Sequence, residues 1–197
     1  MSNHNDFIHL PAAADASQPA SMASFIWMTV LTMAVIGGTF ALSCVTPFAA
    51  LAVALGGTVG LRASLRIMLV VWFANQVVGL GFFHFPRTAN TFLWGVAIGS
   101  AAVVTTIVAS VVMKYASCWS ASLRLSVALL LSFGVYEMTL LPAAVLLRGL
   151  ETFRPAIVAQ LALINFGSLV AMVVLNEVAG LLCRSLLGKM PRLVSSS

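Results

Sequence analysis

Residues 91–113, TFLWGVAIGSAAVVTTIVASVVM, form an apolar run that contains no charged side chain. A transmembrane helix needs about 20 consecutive, mostly apolar residues, so this run is long enough to cross a bilayer. Apolar and polar residues do not alternate along it, which favours a helix over a strand of a membrane barrel. The centre of the chain therefore predicts an all-α integral membrane protein.

Five further apolar runs have the same character and lie at residues 22–43, 46–60, 64–84, 123–147 and 156–183. We therefore predict a bundle of six transmembrane helices within residues 22–188. The run at 46–60 is short for a span and ends in Gly56-Gly57, so this helix is expected to be tilted, broken or partly re-entrant.

The composition excludes a soluble fold. The chain is 61% hydrophobic and 8% charged, whereas a soluble domain carries about 25% charged residues. In a soluble protein the formal net charge of +5 would suggest a nucleic-acid partner. Here the basic residues lie in short loops between apolar runs. We interpret them as topology signals and expect a lipid bilayer, and no nucleic acid, as the partner.

The basic residues also predict the orientation of the chain. With the N-terminus inside, the inner segments hold seven of them: Arg62, Arg66, Lys114, Arg124, Arg184, Lys189 and Arg192. The outer loops hold three: Arg87, Arg148 and Arg154. Because cytoplasmic loops are enriched in Lys and Arg, both termini are predicted to be cytoplasmic. Residues 1–21 lack the features of a secretory signal and are predicted to be a flexible tail, and residues 189–197 a second tail.

With this orientation, polar side chains concentrate on the outer side of the bundle. Six of them are candidate ligand-binding residues: Asn75, Gln76, His84, Arg87, Tyr136 and Asn165. Polar side chains within spans are costly and tend to face a cavity or a partner. Each alone could join two helices by hydrogen bonding, but together they predict an outward-facing pocket for a large polar ligand.

Aromatic side chains crowd the same level, at Phe40, Phe48, Trp72, Phe73, Phe82, Phe83, Phe85, Phe92 and Trp94. Aromatic residues are enriched where a membrane meets water, so an interfacial belt explains some of them. The others fit a stacking wall for a flat ring system.

The segment FALSCVTPFAA at residues 40–50 places Cys44 on the same outer side, whereas Cys118 and Cys183 lie on the inner side. Three cysteines without CxxC spacing predict neither a zinc motif nor a disulfide framework. By residue type alone, Cys44 is best explained as a small side chain buried in a core. Its polar neighbours favour a second interpretation, in which the thiol contacts the ligand.

Three stretches together resemble one family: CVTPFAALA at 44–52, WFANQVVGLG at 72–81 and FLWGVAIG at 92–99. They are similar to the BtuM family of small proteobacterial cobalamin transporters, which look like the S-components of energy-coupling-factor transporters. The resemblance extends over roughly residues 24–183. It implies an S-component-like bundle of six helices in the bacterial inner membrane, with cobalamin as substrate at an outward site.

The resemblance also implies a cysteine that ligates cobalt, and Cys44 is the cysteine whose loop and membrane side fit that role. A thiolate in an axial position would displace cyanide, so assisted decyanation would accompany binding. In the resembled class, a small-residue face on the first helix docks a shared energising module. Here that face is formed by Ala34 and Gly38 and by Gly37 and Ala41, although the same spacing equally serves internal packing.

Other functions stay open at this point. An S-component for another vitamin or a metal, with a purely structural Cys44, fits the same spans. A membrane enzyme is less well supported, because the chain has no GxSG motif and His84 is its only histidine outside the N-terminal tail. A structural or assembly factor would not need the outer polar cluster. The chain contains no Walker A motif for nucleotide hydrolysis.

Overall fold

The structure, a computed structural model, describes the backbone of residues 46–187 and the side chains of residues 46–178. The first predicted span at 22–43, both predicted tails and Cys44 lie outside the described residues. The same holds for the small-residue face at residues 34–41. The described residues therefore begin at the second of the six predicted transmembrane runs.

Five α-helices follow one another along the described chain. They are α1 (Phe48–Thr58), α2 (Leu61–Val77), α3 (Ala89–Tyr115), α4 (Ala121–Leu146) and α5 (Pro155–Leu187). A π-helical turn at Val78–Phe82 extends α2, and a 3-10 turn at Leu150–Phe153 precedes α5. Residues 46–187 contain no strand, which confirms the all-α prediction for this part of the chain.

Four of the helical segments are long and apolar enough to cross a membrane: Leu61–Phe82, Ala89–Tyr115, Ala121–Leu146 and Pro155–Val178. Large apolar side chains are exposed on their outer faces, such as Leu130, Leu146 and Leu163. Exposed apolar surface of this extent on long helices fits contact with lipid. The described residues thus form a helical bundle typical of a multi-pass membrane protein, with four segments of spanning length and the short helix α1.

Helix α1 is the core of the bundle. It contacts each of the four long helices, and Ala50, Leu51, Ala52, Val53 and Leu55 are fully buried. Its 11 residues correspond to about 16 Å, roughly half of the ~30 Å hydrocarbon thickness. The second apolar run, for which the sequence left a tilted, broken or partly re-entrant segment open, therefore forms a buried half-length helix.

The loops divide the bundle into two ends. We call the end with the connections at 83–88 and 147–154 the long-loop end, and the end with the connections at 59–60 and 116–120 the short-turn end. Arg87, Arg148 and Arg154 lie at the long-loop end, which is the end that the basic residues predict to be outside. At this end, Arg148 follows α4 by two residues and has a left-handed backbone conformation (φ 57°), as is common just after helix C-termini.

Close packing of α2 on α3 depends on two glycines one helical turn apart. The Trp72 Nε1–H donates to the Gly95 carbonyl oxygen at 2.9 Å. A Cβ atom at Gly99 would lie 2.7 Å from Cε2 of Trp72, and one at Gly95 would lie 2.7 Å from Oε1 of Gln76. Because side chains at i and i+4 share a helix face, Trp72 and Gln76 both pack onto this glycine surface.

Candidate functional site

A cavity of about 260 Å³ lies among the helices, and we call it the interhelical cavity. All five helices and the 3-10 turn contribute to its lining. The lining residues are Thr46, Phe48, Asn75, Trp94, Ile98, Phe133, Tyr136, Glu137, Leu140, Thr152, Phe153, Leu161 and Asn165. Thr152 belongs to the long-loop end and Asn165 is ten residues into α5, a distance of about 15 Å along the helix. The cavity therefore extends from the long-loop end to the middle of the bundle.

The N-terminus of α1 forms the deep part of this cavity. The first N–H groups of a helix have no partners within the helix, and the interior of a bilayer offers no water to satisfy them. Here the Phe48 N–H donates to the Thr46 carbonyl oxygen at 2.8 Å. The Ala50 N–H donates to Oδ1 of Asn165 at 3.0 Å, across 115 residues of sequence. Asn165 is thus a helix cap supplied by a different helix.

The amide of Asn165 is not fully used by this cap. Its Nδ2 donates to the Leu161 carbonyl oxygen at 3.0 Å. One N–H of the amide and one lone pair of its oxygen remain available, because a primary amide offers two donors and two acceptor positions. Asn165 is buried and lines the cavity, so its amide has hydrogen-bonding capacity left beside the cavity.

A hydrogen bond between Asn75 and Thr46 connects α2 to the segment that precedes α1. The Thr46 hydroxyl donates to Oδ1 of Asn75 at 2.8 Å. This bond holds the backbone just before Pro47 against α2, on the cavity wall. Pro47 occupies the N-cap position of α1 (φ −78°, ψ 68°), where the missing N–H of proline costs the helix no hydrogen bond.

Aromatic rings form part of the cavity wall. The rings of Phe48 and Tyr136 stack with centroids 6.0 Å apart. Trp94 packs against Gly149 in the loop between α4 and α5, where a Cβ atom would overlap its ring. Gly149 therefore lets the loop backbone approach the indole and hold it at the cavity.

The other aromatic residues of this region separate into two groups. Phe73, Phe82, Phe85 and Phe92 are largely exposed, which fits the interfacial belt rather than a ligand wall. Trp72 lies between α2 and α3, where its indole hydrogen-bonds the backbone. The described aromatic residues that line the cavity are Phe48, Trp94, Phe133, Tyr136 and Phe153.

The structure thus brings together three of the predicted site residues, Asn75, Tyr136 and Asn165. Three others do not line the cavity. Gln76 packs over Gly95 between α2 and α3, and His84 and Arg87 are exposed in the connection at 83–88. Nδ1 of His84 lies 2.8 Å from the Phe82 carbonyl oxygen. The seventh residue, Cys44, lies outside the described residues.

The structure adds residues that sequence reasoning did not select. Glu137 is buried (9% exposed), lines the cavity, and its Oε1 has no hydrogen-bond partner among the described residues. Thr46 and Thr152 supply hydroxyls to the same wall. The sequence could have pointed to Glu137, since a carboxylate within an apolar span indicates a functional position. The described residues hold no cluster of three or more potential metal ligands.

Comparison with known proteins finds no relative of this chain. No family model matches the chain, and no characterised protein or solved structure matches it significantly.

Proposed function

We propose that this protein binds cobalamin at the long-loop end and takes part in its uptake across the bacterial inner membrane, with Cys44 as axial cobalt ligand. The observation that supports the proposal is the interhelical cavity. Its lining combines the amides of Asn75 and Asn165 with the rings of Phe48, Trp94 and Tyr136. Amides suit the amide fringe of a corrin, and aromatic rings suit its flat face.

The architecture of α1 also supports a transport function. Substrate sites in transporters commonly lie near the bilayer midplane, beside the ends of discontinuous helices. The N-terminus of α1 is buried at mid-depth and lines the cavity through Phe48. The partial positive charge of a helix N-terminus would face a ligand there.

Cys44 lies two residues before Thr46 in the sequence, and Thr46 lines the cavity. A thiolate is a soft ligand suited to a transition metal, and ligation of cobalt would release cyanide from cyanocobalamin into the surrounding water.

The volume of the cavity favours a second candidate. A pocket for a drug-sized ligand measures about 300–1,000 Å³, and the interhelical cavity measures about 260 Å³. A corrin is larger than this, so only one edge of cobalamin would enter, and the remainder would lie between the loops at 83–88 and 147–154. A smaller vitamin would fit inside, with Cys44 in a structural role.

One binding experiment separates the two candidates. The purified protein is titrated with cyanocobalamin and hydroxocobalamin while the cobalamin absorption spectrum is recorded. The proposal expects binding of both, with a thiolate-dependent spectral shift that is lost in Cys44→Ala and retained in the matched control Cys118→Ala, whose thiol is exposed at the short-turn end. Absence of cobalamin binding by the wild-type protein would favour the smaller ligand. An unchanged spectrum in Cys44→Ala would refute cobalt ligation.

Uptake is tested in a cobalamin-dependent bacterial host that lacks its own importer. The protein is expressed with and without a shared energising module, and growth is measured at limiting cyanocobalamin. Growth without the module would show solitary transport, and growth only with the module would show dependence on it. No growth under either condition would refute the transport function.

A further inference from the structure

Among the described residues, Glu137 is the one carboxyl group that lines the interhelical cavity. It lies nine residues before the end of α4, about 14 Å along the helix, and is therefore close to mid-depth. The residue is buried, with 9% of its surface exposed, and its Oε1 accepts no hydrogen bond from the described residues. A buried polar atom without a partner is uncommon and calls for a functional explanation.

No basic side chain of the described residues compensates this carboxyl. The described lining of the cavity contains no Lys, Arg or His, and the titratable side chain beside Glu137 is the phenol of Tyr136. The helix α1 has no titratable residue, and the described charged side chains of α4 and of the other elements that pack on it do not line the cavity. Near the short-turn end they are Arg124 of α4 itself, Lys114 of α3 and Glu177 of α5, and in the long loop they are the exposed Arg148, Glu151 and Arg154.

This environment favours the uncharged form of the carboxyl. An ionised carboxylate in a low-dielectric interior is costly unless a cation or several hydrogen-bond donors accompany it. In the empty cavity, water can provide part of that stabilisation. An electrically neutral ligand that fills the cavity removes the water, so the ionised form of Glu137 becomes still less favourable once the ligand is bound.

We propose that Glu137 is a proton-binding site and that a neutral ligand and a proton bind to the interhelical cavity together. The proton comes from water at the long-loop end, and it converts the carboxylate into a carboxylic acid with no other change in bonding. The inference rests on the proposed function only in that the cavity is the ligand site. Because the linkage is reciprocal, ligand binding raises the affinity of Glu137 for the proton by the same factor by which protonation raises the affinity for the ligand.

The direction of the pH dependence follows from this linkage. At low pH Glu137 is already protonated in the empty protein, so ligand affinity is constant. As the pH rises through the range in which Glu137 ionises, binding must first restore the proton. The affinity then falls, by at most about tenfold per pH unit for a single proton.

The first test does not require the natural ligand. N,N′-dicyclohexylcarbodiimide modifies protonated carboxyl groups in apolar surroundings, and mass spectrometry of peptides identifies the modified residue. We expect modification at Glu137 that decreases as the pH is raised and that disappears in Glu137→Gln. The matched control Glu177→Gln, which changes an exposed carboxyl near the short-turn end, should leave the Glu137 adduct unchanged. The proposal would be overturned if Glu137 remained unmodified at every pH, including the lowest.

The second test measures linkage to the ligand. Cyanocobalamin, a neutral corrinoid, is titrated into the wild-type, Glu137→Gln and Glu177→Gln proteins across a range of pH. Glutamine copies the uncharged carboxyl in shape and cannot ionise. Glu137→Gln also retains the Cys44 thiol, so the ratio of wild-type to variant affinity isolates the contribution of Glu137. We expect this ratio to fall with rising pH, by at most about tenfold per pH unit. The affinity of the Glu177→Gln protein should change with pH as that of the wild type does.

The outcomes separate the two proposals. A wild-type to Glu137→Gln ratio that is independent of pH would overturn the proton linkage while leaving cobalamin binding intact. Lack of cobalamin binding by the wild-type protein at every pH would instead refute the proposed function. In that case the pH profile of carbodiimide modification still decides whether Glu137 binds a proton in this cavity.

Discussion

Replacement of Asn165 by alanine should weaken the fold through α1. The substitution removes the oxygen that accepts the Ala50 N–H at 3.0 Å and leaves this buried donor without a partner. An unsatisfied buried group costs about 1–3 kcal/mol, and side-chain hydrogen bonds in membranes contribute about 0.6 kcal/mol on average and up to about 1.7 kcal/mol. We therefore expect a loss of about 1–2 kcal/mol in the free energy of unfolding.

The loss is measured by thermal unfolding in detergent. For a chain of about 150–250 residues, 1 kcal/mol corresponds to roughly 2–4 °C in Tm, so Asn165→Ala should unfold about 2–8 °C below the wild type. Gln160→Ala is the matched control, because Gln160 is an exposed amide on the same helix. Its effect should stay within about 0.5 kcal/mol. Equal Tm values for Asn165→Ala and Gln160→Ala would refute the capping role of Asn165.

Three further predictions concern packing, ligand contact and orientation. Gly99→Ala should displace the Trp72 ring, because the new Cβ would lie 2.7 Å from it. We expect a loss of about 1–3 kcal/mol in stability and a shift in tryptophan fluorescence, and an unchanged emission spectrum and Tm would contradict the packing. Asn75→Ala should weaken ligand binding several-fold, since a lost hydrogen bond contributes about 0.5–1.5 kcal/mol. Gln76→Ala should leave the dissociation constant nearly unchanged, and the opposite ranking would place Gln76 rather than Asn75 in the site. Glu151→Cys, in a background without native cysteines, should react with an impermeant thiol reagent added to intact cells, whereas reaction only after permeabilisation would reverse the predicted orientation.

The candidate site was partly visible in the sequence. Asn75, Tyr136 and Asn165 were selected because they interrupt apolar spans on one predicted side, and the structure brings them to one cavity. Gln76 was selected by the same rule, yet it packs against Gly95. Adjacent residues on a helix point in directions about 100° apart, so the rule could place both residues in a span but could not tell which one faces the cavity.

The sequence by itself determined the helical class of the protein and the extent of the four long helical segments. A bilayer sets the length of an apolar helix, so local composition is sufficient to locate it. The runs predicted at 64–84, 91–113, 123–147 and 156–183 correspond to the four long helical segments, and the largest difference is at the end of α5, which reaches Leu187.

Only the tertiary structure decided how the short helix α1 is used. Its apolar sequence is compatible with a tilted span, a broken span or a re-entrant segment. Contact with all four long helices and the bond from Ala50 to Asn165 make it a buried half-helix whose N-terminus lines a cavity. The physical reason is that a buried helix end must find hydrogen-bond partners, and these partners come from residues far along the chain, whose rotation and depth no local pattern specifies.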